Sequence, residues 1–388
     1  DRQRLPLRAR LGVQNAKVMI PAITGHEGLV AAGVIMVLMG INLRGVRESA
    51  AAFVIPAYAF MLGVLGMAGW GLVRILFLGE QLKAPTADYT IVGQPQNSPF
   101  LGLAMIALLA RAFSSGSVAL TGIEAISNGV PGFREPKAKN AAGTLALLGA
   151  LTLAMGAGVI ALAGQTGLKM VSPDGLSHFE LNGTPVAVNG VTAMGQLAIT
   201  VFNPSSPGFF FVMTATVLIL CVAANTAFNG FPVLGSVLAR DGFLPRALYT
   251  RGDRLAYSNG IIVLALAALG LVVAFGADVN ALIQLYVVGV FVSFTVSQFG
   301  MMRHWTRHLS AERDAAARRR MHGSRMINLT GFLMTATVLV VVLVSKFTHG
   351  AYLAIIAMAC LLVLMRSIRA HYDHVATEVA LDPDEARV

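Results

Sequence analysis

The chain of 388 residues is 56% hydrophobic and only 12% charged, with a mean hydropathy of +0.70. A soluble domain is roughly 25% charged, so lipid rather than water is the main solvent, and an ordinary soluble enzyme or binding module is excluded. The net charge of +10 does not point to nucleic acid, because the basic residues sit in short connections between apolar runs.

Residues 1–25 stand apart. Arg2, Arg4, Arg8 and Arg10 crowd a stretch too polar to span, and a short apolar piece follows at 18–23. Nine apolar runs then predict transmembrane helices at 28–43, 51–78, 101–129, 141–164, 208–238, 260–276, 279–301, 327–346 and 350–366. Each is apolar all round rather than on one stripe, as a lipid-embedded helix is. The expected fold is an all-α multi-pass membrane bundle. Of the connections, 79–100 and 165–207 are the longest outside the arginine-rich loops. The second holds Pro173, Gly183, Pro185, Gly190, Pro204 and Pro207, which predict turns around a short surface or re-entrant helix at 191–202. Cys221 and Cys360 both fall inside apolar runs, so no disulfide framework is indicated.

Charge in the short loops predicts orientation. Arg44 and Arg47, then Arg134, Lys137 and Lys139, then Arg240, Arg246, Arg251 and Arg254 mark three alternate connections. The loop expected at 302–326 adds seven arginines, and Arg366 and Arg369 follow the last run. The intervening connections carry little beyond Lys83 and Lys169. The arginine-rich side and the C-terminus are therefore expected in the cytoplasm, with 26–366 as the membrane core and 367–388 as a polar cytoplasmic tail. That orientation puts residues 1–25 outside, where their arginines contradict the rule. This end is expected to be truncated or misread, and is unreliable as a topological marker.

The stretch 113–130 carries the chemistry. It continues the run from Leu101, yet holds Gly116, Gly122 and Gly129, five hydroxyls and one carboxylate, Glu124. An ionisable group at membrane depth costs about 2.5–3.5 kcal/mol on insertion scales and by default marks a functional site. Glycines let a helix open, and opened backbone carbonyls hold ions. Ser117, Thr121 and Gly122 beside Glu124 supply hard oxygen ligands, which suit an alkali cation rather than a soft metal. Thr121 and Glu124 are thus the expected metal contacts, with Glu124 as cation ligand, proton carrier or both. The structural alternative is a carboxylate hydrogen-bonded across helices. Arg111, before Glu124 on the same run, is a candidate gate or a snorkelling residue. Tyr286, with Ser293, Thr295 and Gln298, either lines a vestibule or bonds neighbouring helices. No phosphate-binding glycine loop, dinucleotide fingerprint or cysteine–histidine cluster is present, so no cofactor is expected and the energy source is an ion gradient or the membrane potential.

Several stretches together resemble a known family. They are 114–131 with the following Phe133-Arg-Glu-Pro and Lys139-Asn-Ala-Ala, then Asn42-Leu-Arg-Gly-Val-Arg-Glu-Ser49, then Leu238-Ala-Arg-Asp-Gly-Phe-Leu-Pro-Arg246. Arg251-Gly-Asp-Arg-Leu255, 285–298 and His304-Trp305 complete the set. Spread from 42 to 305, they are similar to the KimA-type potassium importers of the KUP group, within the amino acid–polyamine–organocation (APC) superfamily. The resemblance implies a LeuT-like inverted-repeat bundle of twelve helices, of which helices 4–12 are present here. It also implies potassium–proton symport across the bacterial inner membrane, with Thr121 and Glu124 matching the threonine and glutamate of the opened sixth helix. Further implications are a homodimer and a cyclic di-AMP-binding cytoplasmic domain, of which 367–388 is only the lead-in. The alternative reading is an amino acid permease of the same superfamily, and the third a membrane sensor that transports nothing.

Overall fold

A computed structural model of the chain describes residues 26–45, 50–92, 133–171, 178–181, 184–186, 192–250, 257–275, 279–346 and 351–379, with isolated positions between 105 and 130. Nine α-helices are seen among them: α1 Glu27–Leu43, α2 Ala50–Leu76, α3 Lys137–Thr166, α4 Ala193–Phe202, α5 Pro207–Arg240, α6 Ser258–Ala274, α7 Val279–Ala311, α8 Ala315–Lys346 and α9 Ala351–Val379. Eight match predicted spans, and α4 is the short helix expected at 191–202. The predicted span at 101–129 lies largely outside the described residues. Five helices (α2, α3, α5, α8 and α9) are long and apolar enough to cross a bilayer. The chain is a multi-pass membrane protein, and lipid contact explains its surface. In its 30 residues α3 buries only Ala141, Leu162 and Thr166, while Leu153 and Ile160 are 74% and 73% exposed. Such an apolar face has no place in water.

The described helices fall into two compact units. The first contains α1–α6 and the end of α9. Its packing depends on small residues. Ala265 and Ala268 of α6 meet Ala224 and Ala227 of α5, with Ile35 of α1 and Phe228 closing the cluster. Without a hydrophobic force between helices in lipid, close backbone approach supplies the dispersion contact. Gly260 of α6 lies so near α5 that a Cβ there would stand 2.9 Å from Pro232 Cβ and 3.0 Å from its Cα. A second cluster joins Met67 of α2, Leu162 of α3, Leu197 and Val201 of α4, and Val212 and Met213 of α5.

Outside the membrane helices this unit carries a cap that hydropathy does not reveal. A three-stranded antiparallel sheet forms from β1 Thr90–Val92, β2 His178–Leu181 and β3 Thr184–Val186, pairing Ile91 with Phe179 and Phe179 with Val186. The sheet joins the two connections that had been expected to be loops. The buried Thr86 hydroxyl donates to Gln196 Oε1 of α4 (2.7 Å) and accepts from the Lys169 N–H (3.0 Å), while Lys169 Nζ donates to the Tyr89 carbonyl (2.7 Å). Thr192 caps α4 by accepting from the Gly195 N–H.

At the opposite end of α5, Gly242 takes a left-handed φ of 79° and the chain turns into a short 3₁₀ helix at 246–248. The end of α9 docks on this turn. Arg369 donates to the Asp241 carbonyl (3.1 Å) and sits 4.7 Å from the Phe243 ring, while the Arg246 N–H donates to the Tyr372 hydroxyl (3.2 Å). The tail expected to begin at 367 is therefore a helix to Val379 over this stretch, anchored to its own unit.

The second unit contains α7, α8 and the start of α9. The loop expected at 302–326 is a correction: α7 runs to Ala311, α8 begins at Ala315, and only three residues intervene. Alanine and arginine are strong helix formers, so the helices continue after the hydropathy signal has ended.

Substitutions at glycines test this packing. Gly260→Ala is expected to lower stability by about 1–3 kcal/mol, since Pro232 backbone cannot move aside, whereas Gly66→Ala, with open space around it, is expected to change it little. Thermal unfolding in detergent measures both.

Candidate functional site

Ser117, Thr121, Gly122 and Glu124 lie outside the described residues, as does Arg111. Part of their segment is described. Met105, Leu109, Phe113 and Gly116 are helical and exposed, Met105 at 45% and Leu109 and Phe113 at 58%. Their spacing of three and four residues is one side of a helix, and it is apolar, as a lipid-facing side must be. Ile126 and Gly129, farther on, are helical too.

On α7, Tyr286 is 4% exposed and lies in a buried run with Val287, Val288, Val290 and Phe291. The other polar residues that sequence places on this helix go in three directions. Thr295 donates to the Phe291 carbonyl of its own helix (2.7 Å). Gln298 rests against Gly331 of α8, where a Cβ would come within 3.1 Å of its amide carbon. Ser293 is exposed. Among the described residues, no group of three histidine, cysteine, aspartate or glutamate side chains is gathered to hold a metal.

Within the first unit the structure brings together a polar pair that sequence reasoning missed. Asn42 Nδ2, at the end of α1, donates to Asn225 Oδ1 near the middle of α5 (2.6 Å) and to the Leu38 carbonyl (2.8 Å). Asn225 is 7% exposed. An amide in hydrocarbon needs a partner, and this pair ties α1 to α5 across 183 residues of chain. The signal was present: Asn225-Thr226 interrupts an apolar run, but a sliding average erases two polar residues among many.

Two likenesses bear on this arrangement. A family model described as amino acid permease matches residues 13–365. Over 370 residues, 95% of its length, the chain is 35% identical to the potassium transporter KimA of Bacillus subtilis (strain 168). It spans about half the length of that relative, 55%.

The asparagine pair is expected to show a coupling of about 0.6 kcal/mol, and no more than roughly 1.7, in a double-mutant cycle of Asn42→Ala and Asn225→Ala. Thermal denaturation of the four proteins measures it.

Proposed function

We propose, from the premise that the chain belongs to the amino acid permease family, that it forms the membrane core of a potassium importer driven by protons and the membrane potential. The observation that carries this reading is the 35% identity, over 95% of the chain, to a protein named as a potassium transporter. Glu124 supports it from the sequence side. A single carboxylate among glycines and hydroxyls in an apolar run suits a monovalent cation, and a fixed negative charge there without its passenger would be unfavourable.

In this reading Thr121 and Glu124 take the cation, with Gly122 and Ser117 adding backbone and hydroxyl oxygens, and Glu124 exchanges its proton as the carrier alternates. Arg111 and the buried Tyr286 belong to the path around the site. The driving force is adequate: one charge moved through ~100 mV yields about 2.3 kcal/mol. The proposal includes the LeuT-like inverted repeat, the bacterial inner membrane as location and the arginine-rich side and C-terminus in the cytoplasm. It also includes a homodimer and a response to cyclic di-AMP through a cytoplasmic domain of which residues 367–388 are only the lead-in. No catalytic role and no cofactor enter it.

One observation favours a second reading. The matching family is described by amino acids, not ions. An amino acid permease would take an α-carboxylate at the N-termini of opened helices. Thermal stabilisation of the purified protein separates the two. Potassium and rubidium are expected to raise the unfolding temperature and amino acids to leave it unchanged; the reverse result would reject the potassium reading.

In a potassium-uptake-deficient bacterium at low external potassium, Glu124→Gln in the full-length protein is expected to abolish rescue. Thr121→Val is expected to retain rescue but weaken apparent potassium affinity about tenfold, the effect of roughly one hydrogen-bond-sized interaction. Normal rescue by Glu124→Gln would overturn the assigned role.

A further inference from the structure

The tip of the α7–α8 hairpin concentrates positive charge. Residues 303–325 hold seven arginines and no lysine, against two acids, Glu312 and Asp314. Below the tip, Gln298 against Gly331 and the Phe299 and Phe332 rings, 5.8 Å between centroids, align the helices as an antiparallel pair. The apolar run of α7 ends near Met302, and at ~1.5 Å per residue the helix then projects about 13 Å to Ala311. The head-group zone is roughly 5–8 Å deep on each side of a bilayer, so a hairpin of this length standing on the apolar runs is long enough to pass through it. Trp305, 5.3 Å from the His304 ring, sits at the level where aromatic anchors gather.

The tip's own structure uses little of this charge. Arg318 donates from Nη1 to the Leu309 carbonyl (3.2 Å) and the Glu312 carbonyl (3.1 Å), satisfying the end of α7. Both acids are engaged with backbone. Glu312 accepts from the N–H groups of Arg313 (2.9 Å) and Asp314 (3.0 Å), and Asp314 accepts from the Ala317 N–H (2.9 Å) at the start of α8. By contrast, Arg303, Arg307, Arg319 and Arg320 are exposed, and no hydrogen bond or ion pair among the described residues engages their guanidinium groups. Arg319 and Arg320, with Ala315 and Ala316, line an open recess of about 560 Å³. Topology alone would be served by lysine, which this chain uses elsewhere at Lys137 and Lys139. A planar guanidinium adds bidentate recognition of phosphate.

We propose that this hairpin is a docking site for the phosphate head groups of anionic phospholipids, held by Arg303 and Arg307 on α7 and by Arg319 and Arg320 on α8. The inference does not depend on which cargo the protein carries. It follows from the depth of the tip, the arginines left unengaged and the bilayer beside them.

The test uses the protein in a neutral detergent, its unfolding temperature titrated with phosphatidylglycerol, phosphatidylcholine or inorganic phosphate. Phosphatidylglycerol alone is expected to raise the unfolding temperature saturably. The pair Arg319→Gln and Arg320→Gln is expected to weaken the apparent affinity for that lipid about thirtyfold, at roughly a fivefold effect per surface arginine. Arg303→Gln with Arg307→Gln is expected to act similarly. Arg318→Gln is expected to lower the unfolding temperature in every condition while leaving the lipid affinity intact. An equal shift with phosphatidylcholine, the full shift with inorganic phosphate alone, or unchanged affinity in both paired variants would overturn the proposal.

Discussion

A polar group in hydrocarbon has no water to turn to, and that constraint governs what this chain can do. Backbone groups meet it by forming helices, which is why almost every described residue of the apolar runs is helical. Side chains meet it locally or across a helix pair. Thr216 returns its proton to the Val212 carbonyl (2.7 Å) and Thr166 to that of Leu162 (2.9 Å), while Asn42 and Asn225 find each other. Among the buried side-chain nitrogens and oxygens of the described residues, Trp305 Nε1 alone lacks a partner. In the proposed mechanism the same constraint bears hardest on Glu124, and a cation or a proton relieves it.

Close packing follows from the same absence of a hydrophobic drive. Gly71 stands where a Cβ would be 2.7 Å from Leu162 and 2.9 Å from Val201, and Gly260 stands against Pro232. These are contacts of α2 with α3 and α4, and of α6 with α5. They place the first unit's helices near enough for dispersion to accumulate. The polar cap then closes one end through Thr86, Lys169 and Gln196, and the docked end of α9 closes the other through Arg369 and Tyr372.

Much of this was legible in the sequence, because a run of apolar residues in a bilayer has one structural solution. Helices α1, α2 and α5 begin and end within two residues of the predicted spans. Legibility failed where lipid stops dictating the answer. Residues 302–326 read as a loop, since hydropathy measures solvent and not helicity, and the alanine–arginine stretch goes on as helix. The strands at 90–92, 178–181 and 184–186 were invisible because three or four residues show no period that turns could not also show. The proposed site rests on sequence chemistry alone. Glu124 and Thr121, outside the described residues, are picked out as polar residues in an apolar run, whereas Asn225, equally polar, needed its partner on α1 to be noticed.

The proposed cation cargo of this permease-family helix bundle is measured most directly in reconstituted liposomes. With the interior negative and the exterior mildly acidic, the full-length protein is predicted to accumulate rubidium, a tracer for potassium, with protons entering alongside it. Accumulation of an amino acid in the absence of any rubidium movement would contradict that claim.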